Sequence, residues 1–168
     1  MASTYTLISS NVLSSSAASV TFSAIPSTYT DLVLRCSTRS DDPSIFLRFN
    51  GSTTTYSTTE LAGDGSSPYS LRNTAGTGYI YVGDSDGSAD TANTFGSFEI
   101  YIPNYTAAQN KPLSTFSARE RNTTLGILNV TAGLWRNTSA IDSIFLKPND
   151  STGFVSGSSF YLYGIRSA

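Results

Sequence analysis

Ala18-Ser-Val-Thr-Phe-Ser-Ala-Ile25, the breaker Pro26-Ser-Thr-Tyr29 and then Leu32-Val-Leu-Arg-Cys-Ser37 set two alternating apolar–polar runs on either side of a turn. In the first run Ala18, Val20, Phe22 and Ala24 fall on one side and Ser19, Thr21 and Ser23 on the other, the period of a strand with one wet face. The second run repeats this with Leu32, Leu34 and Cys36 turned inward. Two such runs about a proline-containing breaker read as a first hairpin.

Working outward, candidate strands recur at short spacing: Tyr5–Ser9, Ala18–Ile25, Asp31–Ser37, Ser44–Phe49, Tyr56–Leu61, Gly78–Val82, Phe95–Ile102, Leu113–Arg119, Gly126–Trp135, Ser143–Leu146 and Ser159–Ile165. Clusters such as Asp41-Asp-Pro43, Asn50-Gly51, Asp64-Gly-Ser-Ser-Pro68 and Pro148-Asn-Asp150 separate them. No window holds a helical stripe over three turns, and Asn104–Gln109 offers one turn at most. The expectation is all-β: one domain over residues 1–168, an antiparallel two-sheet β-sandwich, jelly-roll-like, with a closed barrel as the alternative. The expected inward set is Val20, Phe22, Leu32, Leu34, Ile45, Leu47, Phe49, Ile80, Phe98, Ile100, Ile102, Leu128, Val130, Ile144, Leu146, Phe160 and Leu162. Asn50–Ala92, richer in Gly, Ser and Thr than its flanks, reads as long loops at one end of the sandwich.

Charged residues make up 13% of the 168, while Ser and Thr together supply about 30%, so the wet face carries hydroxyls more than ions. Such a surface suits strands, because Thr is β-branched and Ser weakens helices. A net charge of −2 with scattered arginines gives no footprint for nucleic acid. Only Lys111 and Lys147 are lysines, and the arginine bias suits protein contacts. Cys36, the only cysteine, falls on the inward phase and reads as a small core thiol. Met-Ala-Ser-Thr-Tyr-Thr-Leu-Ile at the start lacks a charged region and a long apolar core, so neither signal peptide nor membrane span is expected, and synthesis is expected in a cytoplasm.

Histidine is absent, which removes the commonest general base and the usual Ser-His and Cys-His nucleophile pairs. Glu60, Glu99 and Glu120 leave carboxylate chemistry formally open, but Glu99 sits at an outward phase and Glu120 between two arginines. The expectation is a non-enzyme without cofactor. Asp84, Asp86 and Asp90 alternate with Gly as at the opening of a calcium loop, yet no glutamate closes it; a hairpin tip explains them as well. Six Asn-x-Ser/Thr sites begin at Asn50, Asn104, Asn122, Asn129, Asn137 and Asn149, and chance accounts for them in so hydroxyl-rich a chain. Tyr79, Tyr81, Tyr101, Trp135, Tyr161 and Tyr163 lie at outward phases, where aromatics mark a subunit interface, ordinary packing or a glycan site.

Four pieces carry a resemblance: Tyr5-Thr-Leu-Ile-Ser-Ser10, Ala18 through Arg35, Leu47-Arg-Phe-Asn-Gly51 followed by Tyr56-Ser57, and Phe160-Tyr-Leu-Tyr-Gly-Ile165. Together they resemble a family of small β-rich virion structural proteins of tailed bacteriophages, cyanophages among them. The resemblance implies a particle component and supplies no catalytic residues. It does not fix which component; taken with the small single-domain size and the aromatic, arginine-biased surface, it leads to the expectation of a head decoration or cement protein, a homotrimer bound to the major capsid protein on the exterior of a virion assembled in the host cytoplasm. The competing expectation is a tail-associated structural or receptor-binding module that meets host glycan. Neither nucleic acid nor membrane is an expected partner.

Overall fold

The computed structural model describes residues 4–121, 126–149 and 153–166. Among these the chain forms twelve strands and no helix: β1 (Tyr5–Val12), β2 (Val20–Phe22), β3 (Asp31–Thr38), β4 (Ser44–Phe49), β5 (Tyr56–Gly63), β6 (Pro68–Thr77), β7 (Ile80–Asp84), β8 (Gly96–Ile102), β9 (Lys111–Glu120), β10 (Gly126–Trp135), β11 (Ile144–Pro148) and β12 (Ser159–Ile165). They make two antiparallel sheets, eight strands in the order β1-β12-β3-β8-β9-β10-β5-β6 and four in the order β2-β11-β4-β7. The expected sandwich is what the chain forms.

Four ladders explain its topology: β1 pairs with β12, β2 with β11, β3 with β8 and β4 with β7. First strand meets last and the middle strands meet each other, so the chain is one antiparallel ribbon doubled back on itself. Successive strands of the ribbon alternate between the large and the small sheet, which wraps it around the core as a jelly roll. Two hairpins interrupt the roll. β5–β6 is inserted between β4 and β7, and β9–β10 between β8 and β11. They pair through β5 and β10 and continue the large sheet beyond β8.

This wrapping overturns the first hairpin. β2 lies against β11 in the small sheet, while β3 lies between β12 and β8 in the large one. Ala24 at φ 52 and Pro26 turn the chain out of one sheet, and residues 23–30 carry it to the other. Alternation survives the crossing, since Val20, Phe22, Leu32, Leu34 and Cys36 are buried. Ala18 and Ala24 fall outside the strand and are exposed. The Asn50–Ala92 segment departs from expectation in one element: besides the expected strands β5 and β7 it holds β6, so only its turns are loops.

Every member of the expected inward set is buried except Leu128 and Val130, which are 56% and 51% exposed. On β10 the inward positions are Asn129, Thr131, Gly133 and Trp135. Trp135 sets this phase, lying between Phe49 (ring centroids 5.6 Å) and Tyr56 (6.2 Å) in the core. Gly133 keeps it, because a side chain there would strike Ile80 and Leu113 at 2.8 Å. A period of two then turns Leu128 and Val130 out.

Candidate functional site

Both candidate surfaces are built on the inserted hairpins. On the inner side, β7 is the last strand of the small sheet and lies chiefly over β9 and β10, overlapping β5 only slightly, so the β5–β6 hairpin reaches past its edge. The interior is polar here. Asn129 Nδ2 donates to Glu60 Oε1 at 2.7 Å and to the Tyr81 hydroxyl at 2.6 Å. Tyr81 donates onward to Asp84. Asp84 Oδ2 lies 3.7 Å from Arg119 Nη2, and Asp90 lies 3.6 Å from Arg119 and 2.8 Å from Arg121. An unbroken chain of polar side chains therefore runs from Glu60 to Arg121. Burial, with the Asp84 charge adding to it, pushes Glu60 up to about 7 against the opposing Asn129 hydrogen bond. Burial also raises Asp84, despite Arg119, and holds the Tyr81 hydroxyl well above the usual tyrosine range.

This seam opens to solvent as a cleft of about 280 Å³, lined by Ser44, Phe46, Glu60, Tyr69, Leu71, Asn73, Tyr79, Tyr81 and Asp84. Tyr69, Leu71 and Asn73 come from β6, in register with Ala62, Glu60 and Thr58. The opposite wall is aromatic. Phe46 and Tyr79 rings lie 3.8 Å apart at 32°, and Tyr81 meets Phe46 edge-on at 6.3 Å.

The outer face of the large sheet is the second surface. Leu61, Val130, Phe116, Glu99, Arg35 and Tyr161 form one cross-strand row over six strands, roughly 24 Å at the usual strand spacing. Leu61 is 61% and Phe116 54% exposed, and Leu128 adjoins them. The next row runs Ala132, Ser114, Tyr101, Val33, Tyr163 and Leu7. An apolar half on the inserted hairpins thus meets a tyrosine half on β8, β12 and β1. Between them Arg35 Nε donates to Glu99 at 2.8 Å, and its guanidinium lies 5.8 Å from the Tyr5 ring centre. A hollow of about 630 Å³ beside Leu128 and Ile127 continues the apolar half.

Of the tyrosines chosen from sequence, Tyr101, Tyr161 and Tyr163 share this outer face, while Tyr79 and Tyr81 line the cleft. Trp135 joins neither: it is 1% exposed, with Nε1 donating to Ser52 Oγ at 3.3 Å. Its outward reading fails for the same reason as the inward reading of Leu128 and Val130, an inverted phase on β10. Asp84 and Asp90 face arginines, Asp90 also accepts from the Gly87 N–H at 2.5 Å, and Asp86 is buried beside them with its carboxyl raised by desolvation. No group of acidic residues among the described residues is arranged to hold a metal ion. Asn129, one of the Asn-x-Ser/Thr sites, is fully buried. Sequence reasoning missed Phe46 and Tyr69 in the cleft and Leu61 and Phe116 outside. Tyr69 and Leu71 do alternate with Ser70 and Arg72, a signal too short to stand out beside the Asp64–Pro68 turn. No protein-family model matches the chain, and no curated protein matches it.

Proposed function

We propose that the chain is a non-catalytic structural protein of a bacteriophage particle, a decoration or cement protein that sits on the outside of the head and braces it by binding the major capsid protein. The observation that supports this most directly is the outer face of the large sheet. Monomers seldom expose contiguous apolar patches of more than a few hundred Å² without a partner for them. Here Leu61, Phe116, Leu128 and Val130 adjoin one another on neighbouring strands, and the nearby Arg35 and Glu99 neutralise each other. Such a face suits an uncharged protein surface and disfavours nucleic acid. The sequence resemblance supplies the particle, and the hairpins that carry the face extend the large sheet beyond the eight ribbon strands of the roll.

The test is co-sedimentation of the purified protein with expanded heads, alongside a count of copies per virion and of chains per particle in solution. We expect saturable binding, hundreds of copies and a trimer. Leu61→Lys with Val130→Glu should abolish binding while leaving the thermal midpoint of the free protein close to the parent's, since both side chains are exposed and the new charges, which face each other across β5 and β10, are opposite. Failure to bind heads, with only a handful of copies per virion, would overturn the reading. A tail-associated module is the second reading, and the aromatic cleft is the observation that favours it.

A further inference from the structure

We infer that the cleft between the β5–β6 hairpin and the β4–β7 edge is a carbohydrate-binding site, with Tyr69 and Tyr79 as its aromatic platforms and Glu60 and Asp84 as its hydrogen-bonding groups. The inference is independent of the head-decoration reading, because it does not use the outer face, and it deepens the tail-associated reading, which shares this cleft.

The chemistry of the walls points to the ligand class. A sugar ring presents apolar C–H faces and a rim of hydroxyls, each both donor and acceptor. The cleft offers the complement of both: aromatic rings on two sides, carboxyls and the Asn73 amide between them. No lysine or arginine lines it, so it has nothing to hold a phosphate or another anion. At about 280 Å³ it lies at the small end of ligand-sized cavities, suited to one or two rings.

The groups are also held in place before any ligand arrives. Phe46 stacks on Tyr79 and fixes its plane. Asn129 fixes Glu60 from behind through Oε1, and Tyr81 and Arg119 fix Asp84. Neither carboxylate has to reorganise or find a partner elsewhere, which lowers the ordering cost of binding. Glu60, pushed up to about 7, exchanges between accepting and donating forms near neutrality, and a hydroxyl partner satisfies either. Behind it on β10, Asn129 and Thr131 continue the polar inner face.

The experiment applies the full chain to an array of bacterial surface oligosaccharides, with saturation-transfer NMR on free maltose, lactose and chitobiose as the second probe. We expect transfer to sugar C–H protons on at least one probe. Tyr69→Ala should weaken that binding roughly tenfold, the loss of one ring contact, and Tyr79→Ala by at least as much. Tyr69 is exposed at a sheet edge, so its replacement leaves the fold intact even if Tyr79→Ala does not. Glu60→Gln should weaken it less, because an amide keeps one acceptor and adds donors. The outer-face variant Phe116→Ser should bind sugar like the parent. Absence of signal from every probe, or binding that survives both tyrosine replacements, or binding lost equally in Phe116→Ser, would overturn the assignment. None of those results bears on binding to heads, which uses the other face.

Discussion

Gly164 lies beneath the ring of Tyr29 so closely that a side-chain carbon there would come within 2.3–2.5 Å of three ring atoms. The two residues stand near opposite ends of the chain, and the Arg166 guanidinium lies 5.3 Å from the same ring centre. Gly164→Ala should therefore cost about 1–3 kcal/mol in denaturant unfolding, an overpacking penalty. In a Tyr29→Ala background the same change should cost far less; equal cost in both backgrounds would place the penalty elsewhere than in this contact. Glu60 gives a prediction of another kind. Its folded-state pKa of about 7 lies above its usual 4.5, so the folded protein holds the proton more tightly than the unfolded chain does. The resulting stabilisation is complete below about 4.5 and is lost as the pH rises through about 7, a fall on the order of 1–3 kcal/mol. Asp84 and Asp86 shift in the same direction and add to the slope. Thermal unfolding should show the parent more stable at pH 5 than at pH 8, and Glu60→Gln should flatten that dependence and raise the midpoint at pH 8. A parent whose midpoint rises over that range would contradict the assignment.

At the scale of the strand, alternation was a sound guide wherever both sheets press apolar faces together. β3, β4, β8, β11 and β12 obey it because Leu34, Leu47, Ile100, Leu146 and Leu162 all meet the same dry core. It misled on β10 because the inserted hairpins invert the usual assignment: their inner side carries the Glu60–Asn129–Arg119 seam, and their outer side carries Leu128 and Val130. Local sequence records which residues share a face, and it does not record which face is inside. The same limit hid the cleft, since Glu60 on β5, Tyr69 on β6 and Tyr79 just before β7 are brought together only by the inserted topology. Conversely, Tyr101, Tyr161 and Tyr163 were legible as outward because they sit on strands of the undisturbed roll. A strand-phase test follows. Leu128→Thr and Val130→Thr should each change the stability of dilute protein by no more than about 0.5 kcal/mol, as exposed positions do. Trp135→Ala should cost about 3–5 kcal/mol, as loss of a packed aromatic does. The opposite ranking would mean that β10 sits one residue out of the register seen here.

For the whole molecule, the insertions separate two tasks that one small domain would otherwise mix. The roll formed by β1–β4, β7, β8, β11 and β12 supplies most of the core, to which the inserted hairpins add Tyr56, Leu113 and Trp135, while β5 and β6 carry the large sheet beyond β9 and β10, the strands that β7 covers. That overhang necessarily has two free sides, and the chain treats them differently, polar and aromatic within and aliphatic without. The physical character of the outer side fixes how its binding should respond to solution conditions. Because Arg35 and Glu99 already pair and the rest of the row is uncharged or apolar, little of the association energy there comes from unscreened charge. Binding to heads should therefore hold or strengthen as salt is raised, with excluded ions such as sulfate strengthening it most. Calorimetry should show a negative heat-capacity change that shrinks in Leu128→Ser and Phe116→Ser, the mark of apolar area leaving water. Binding that collapses in moderate salt and is untouched by those two replacements would instead locate the contact among the charged residues around Arg72 and Glu120, and the apolar row would need another explanation.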